Sequence, residues 1–125
     1  MRAITALCLF LCSVATVAAD KHGKYLMGAG AGLVSCPQFA DAMATARQRG
    51  GLTTSEGARV VDRFITYVLG FQTGYNVAAP GTYDVFAKLH DWDPLFAIEA
   101  WCKDNPGKLF GDGVVALAAK LAKEQ

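Results

Sequence analysis

Side chains able to do catalysis are scarce in this sequence. There are two histidines, His22 and His90, and four cysteines, none in a Cys-x-x-Cys pair. A nucleophile needs a partner base and a group to orient that base. No Ser-His-Asp or Cys-His set can be assembled without choosing residues scattered along the whole chain, so a non-enzyme is expected. An Asp-rich loop with a glycine at its bend, the arrangement that brings six or more oxygens to calcium, is also missing. Asp84, Asp91 and Asp93 with His90 make the densest polar group. Their spacing does not suit a hard cation, and Asp93 has work to do as a helix cap. No metal and no cofactor are expected. Nor is there a basic block, an internal repeat or a low-complexity tract beyond one glycine segment, and nucleic acid is therefore not an expected partner.

What is present begins with a leader. Met1 and Arg2 supply a small positive start, Ala3 to Ala19 carries no charge, and Val17-Ala18-Ala19 puts small residues before Asp20. This is the form of an export signal with its cleavage site. Seventeen uncharged residues lie at the short edge of spanning length, so an N-terminal anchor is the competing reading. Leu9-Phe10-Leu11 before Cys12 lack the small residues of a lipidation site. The expected domains are a signal peptide over 1–19, a flexible glycine-rich segment over 20–34 and a helical domain over 35–125. Localisation is expected to be periplasmic or secreted, with no stable membrane insertion after cleavage. Arg2 leaves with the leader, and eleven Lys and Arg then face eleven Asp and Glu.

Cys8 and Cys12 leave as well. Cys36 and Cys102 remain, and an even pair in an exported chain is best read as a disulfide. Two free thiols or a redox pair are the alternative. Closing a loop of about 67 residues should stabilise the fold by roughly 4 kcal/mol in the chain-entropy model.

The longest amphipathic run is Val60 to Tyr75. Val60, Val61, Phe64, Ile65, Val68, Phe71 or Gln72, and Tyr75 recur at three- and four-residue steps, the period of one helix face. Thr53-Thr54-Ser55-Glu56 reads as the capping box that opens this helix, with Gly57 a local weakness. Gly70 and Gly74 lie four apart on one stripe, and their cost of about 1 kcal/mol each suggests that a helix or a ring presses there. Before it, Ser35 caps a helix that carries Pro37 in its first turn and ends at Gly50-Gly51. Phe39, Met43 and Ala46 form its buried side.

Pro80-Gly81 stops the central helix, and Tyr83 to Leu89 is expected to add one or two helical turns against it. Asp93 as N-cap and Pro94 as first residue open a third helix carrying Leu95, Phe96, Ile98 and Trp101-Cys102. A last helix runs from about Leu109 to Lys123. Gly28-Ala29-Gly30-Ala31-Gly32 lacks the strand and acidic residue of a dinucleotide loop, and Tyr25 to Val34 is expected to be a poorly ordered entry segment. The fold class is all-α: a single small four-helix domain, plus a short extra turn, closed by one disulfide.

Three motifs fall in a definite order: Cys36-Pro37-Gln38-Phe39, Tyr67-Val68-Leu69-Gly70-Phe71 and Cys102-Lys103-Asp104-Asn105-Pro106. In this order the chain resembles the HdeA/HdeB-like proteins of the bacterial periplasm. More specifically it resembles a branch with the pattern Y-x-x-G-[FY]…N-x-x-x-P-x-T-Y-D…C-x-x-N-P, in which Asn76, Pro80, Thr82, Tyr83 and Asp84 all match. The resemblance covers about residues 35–122. It implies four to five helices closed by one disulfide, and an acid-stress chaperone that opens at low pH and shields unfolding envelope proteins. The segment between the cysteines is longer here, and the termini are not charge-clustered. A second resemblance is to small immunity proteins that neutralise peptidoglycan amidases delivered by type VI secretion. It implies a binding protein that occludes a partner enzyme. Asn76, Tyr83, Asp84, Phe86 and Trp92, on the connection after the central helix, are the candidate partner contacts. Clients or one protein partner are expected, and a homodimer is compatible with both.

Overall fold

The computed structural model describes residues 22–124, so the expected leader and cleavage site lie outside the described residues. The backbone follows the capping signals closely. At the start of α1 (Cys36–Gln48), Ser35 Oγ accepts from the Gln38 amide while Gln38 Oε1 accepts from the Ser35 amide. Gly50 and Gly51 end the helix at φ +94° and +85°, a region that L side chains rarely enter.

Helix α2 (Ser55–Ala78) is 24 residues long, about twice any other helix. Its N-cap is Thr54, one residue later than expected, with Thr54 Oγ1 accepting from the Gly57 amide at 3.1 Å. Gly57 is no weakness. A Cβ there would stand 2.0 Å from the Gly51 carbonyl oxygen, so glycine lets α2 start against the turn that ends α1. Helix α3 (Asp93–Asp104) starts one residue earlier than expected: Trp92 is its N-cap and Pro94 lies in its first turn. Asp93 instead accepts from the His90 amide at 3.0 Å. In α4 (Phe110–Ala122), Asp112 Oδ2 accepts from the Leu109 amide and closes the first turn.

Among the described residues there is no strand, only a lone bridge between Ser35 and Leu109. Around it the Cys36 amide donates to the Lys108 carbonyl and the Phe110 amide to the Val34 carbonyl, at 2.9 and 2.8 Å. The disulfide sits at the same place. Cys36 and Cys102 are bonded, S–S 2.09 Å, and both are buried. It ties the start of α1 to the last turns of α3, as the even cysteine count predicted.

Helix α1 packs on α2 and α3, and α4 packs on α3. The middle of the core is three phenylalanines from three helices: Phe39, Phe64 and Phe110, with centroids 4.6 to 4.9 Å apart in tilted and edge-on pairs. Each pair adds about 0.5–1.5 kcal/mol beyond its burial. Val61, Val68, Leu95, Ile98 and Val114 complete the interior.

Two expectations change. Tyr83 to Leu89 forms hydrogen-bonded turns and no helix, because Asn76 and Asp84 hold its amides in a different geometry. The extra helical turn is instead a 3-10 turn at Ala31–Leu33, inside the segment expected to be loosely held. Ala31 and Gly32 are buried there, and Tyr67 lies against Gly32 so closely that a Cβ at residue 32 would be 2.6 Å from its hydroxyl oxygen.

Candidate functional site

The connection from Ala79 to Trp92 is fastened by the polar residues of the Asn-to-Asp motif. Asn76, near the end of α2, accepts from the Val85 amide through Oδ1 at 2.9 Å. Gln72, one turn earlier, donates to Asp84 Oδ1 at 2.6 Å, and the Phe86 amide donates to the same oxygen at 2.9 Å. Val85 and Phe86 then enter the core. Gly81, at φ +76°, turns the chain after Pro80, and the Thr82 amide donates to the Ala79 carbonyl. The hydrogen bond from Gln72, with those from the Phe86 amide and Asn76, holds the Asp84 carboxyl below the usual aspartate range, while burial opposes that shift.

This divides the five sequence-predicted contacts. Asn76 and Asp84 are fasteners, and Phe86 is a core residue only 3% exposed. Trp92 is half-buried and packs on the core. Tyr83 alone is presented to solvent, 97% exposed at the tip of the fastened loop. Beside it runs an open groove of about 410 Å³ between α2 and the connection, with Ile65, Leu69, Leu89 and Trp92 in its walls. Its rim is polar, with Asp84, His90 and Asp91.

The stripe of Gly70 and Gly74 has no packing neighbour: a Cβ at either position would meet nothing within 4 Å. The ring or helix expected against it is absent among the described residues. Leu69 and Val77, on the same half of α2, are 53% and 84% exposed.

A second polar feature was not foreseen. Glu99 is buried in α3 and takes a two-pronged hydrogen bond from the Arg47 guanidinium of α1, one arm 2.8 Å long. The bond to Glu99 raises the Arg47 pKa further, against a smaller opposing effect of burial. The clue lay in spacing: Leu95, Ile98, Glu99 and Cys102 share one helix face. Among the described residues, no three His, Cys, Asp or Glu side chains gather as metal ligands would. No helix there is long and apolar enough to cross a membrane.

Comparisons with family models, curated proteins and solved structures return no match.

Proposed function

We propose that this is a non-catalytic, exported, HdeA-like protein that loosens in acid and holds unfolded envelope proteins on the aromatic surfaces it uncovers. One observation carries the reading. The connection over the core is fastened by the Asp84 carboxylate, whereas the tie at the start of α1 is covalent. Acid acts on the first and leaves the second intact. Full protonation takes the chain after the leader from near neutral to about +13, and such a chain repels itself. An opened but cross-linked helical chain would expose Phe39, Phe64 and Phe110 and could close again on neutralisation. The check is client aggregation by light scattering together with near-ultraviolet dichroism. Reversible loosening at about pH 2–3 with suppressed aggregation is expected, and a compact, inactive protein at that pH would refute the reading.

Tyr83 favours a second reading, in which the protein is an immunity-type inhibitor that plugs one partner enzyme. A fully exposed tyrosine on a fastened loop suits a rigid aromatic anchor. Capture from envelope extract would then return one stoichiometric partner at neutral pH, where the chaperone reading expects many clients in acid. Tyr83→Ala should weaken that partner's binding at least tenfold, corresponding to about 1.4 kcal/mol. Unchanged affinity would exclude the loop as the contact.

A further inference from the structure

We infer that Met27 is an oxidation site, and that converting its thioether to the sulfoxide releases residues 25–34 from the helical body. This segment lies on the body as a strap whose 3-10 turn is packed through Ala31 and Gly32. Tyr25 Oη donates to Asp112 Oδ1 at 3.1 Å, and Tyr67 Oη donates to Met27 Sδ at 3.0 Å. At its end the Phe110 amide donates to the Val34 carbonyl. Met27 sits in a slot that exists because residue 111 is glycine. A methyl group there would stand 2.3 Å from Sδ and 2.7 Å from Cε.

Met27 is only half-buried, whereas Met43, the other methionine among the described residues, is 1% exposed beneath the core, so peroxide reaches Met27 more readily. A peroxide is the oxidant class. The sulfur lone pair attacks one peroxide oxygen, the O–O bond breaks as the S–O bond forms, and the other oxygen leaves as water after taking a proton. Sulfur is oxidised by two electrons and the peroxide is reduced by two. The sulfoxide oxygen is a better acceptor for Tyr67 than the thioether, so the hydrogen bond does not drive release. The slot does: a Cβ at residue 111 would already stand 2.3 Å from Sδ, so an oxygen added on that side has no room, and the sulfoxide is polar where the thioether was packed. Swinging out, the strap uncovers Tyr67 and, next to it, Phe110, whose ring lies 5.9 Å from that of Tyr67. The inference does not depend on acid opening.

The test treats the disulfide-intact protein with hydrogen peroxide and follows Met27 by peptide mass spectrometry and amide exchange at Leu33, Val34 and Phe110. Met27 should oxidise before Met43, and exchange at those three amides should rise by about tenfold while amides in the middle of α2 hold. Methionine sulfoxide reductase should restore the original exchange. In Met27→Leu, a volume-conserving change, peroxide should alter nothing at the three amides. Oxidation of Met43 first, an oxidised Met27 with unchanged exchange, or equal loss of protection in Met27→Leu would each overturn the inference.

Discussion

A side chain's surroundings, more than its type, decide what each glycine of α2 does. Gly57 touches the Gly51 carbonyl, and Gly57→Ala should destabilise the fold by about 3 kcal/mol or prevent α2 from starting where it does. Gly70 and Gly74 face open space in a helix interior. Gly70→Ala and Gly74→Ala should therefore stabilise by about 0.5–1 kcal/mol each, read from denaturant midpoints at constant slope. If either substitution destabilised the isolated protein, some contact with that stripe would have been missed. In sequence the three glycines look alike. Helical spacing assigns a residue to a face, but it does not say what stands opposite. Tyr67 and Gly32 make the same point, since they meet across 35 positions that no local pattern connects.

At the scale of elements, two polar ties hold what apolar packing leaves loose. The Arg47–Glu99 pair joins α1 to α3 with the carboxylate buried and the guanidinium half exposed. Removing only the cation leaves a buried charge. Arg47→Ala should cost about 1–3 kcal/mol, reduced from the fully buried case by solvent at the exposed end. The double change Arg47→Met with Glu99→Leu should recover most of that loss, and equilibrium unfolding of the parent and the two variants measures it.

The second tie is pH-dependent with a definite sign. Folded Asp84 titrates below the ordinary aspartate value. Its stabilising effect is therefore complete above about pH 4 and is lost as pH falls through the lower, folded value. Asp84→Asn should be less stable than the parent at about pH 7 and indistinguishable from it once Asp84 is protonated in both states. A stability gap unchanged down to that pH would mean that the carboxylate's charge does not hold the loop.

Much of this scale was legible in the sequence. Ser35, Gly50-Gly51 and Pro80-Gly81 marked element ends to within a residue or two, because caps and turns are local chemistry. The connection was not. Its Val85 and Phe86 amides bond to the Asn76 and Asp84 side chains, and that choice leaves turns where helix was expected from Val85, Phe86 and Leu89. The Arg47–Glu99 pair was hidden for a related reason: its partners are 52 residues apart.

At the scale of the molecule, the helical fold of the described residues and their Cys36–Cys102 staple followed from an even cysteine count and one long apolar helix face. The candidate contacts followed less well. An aromatic-rich stretch does not reveal which rings turn inward, and here Phe86 went into the core while Tyr83 stayed outside. Removing the staple with Cys36→Ala and Cys102→Ala should cost about 4 kcal/mol and should make acid loosening hard to reverse. The most direct measurement of the central claim takes the disulfide-intact protein through a cycle from neutral pH to about pH 2–3 and back, with an aggregating client present and near-ultraviolet dichroism recorded throughout. The account predicts that aromatic dichroism is lost and regained and that client scattering is suppressed only in the acid leg. Retained dichroism with unprotected client in acid would contradict it.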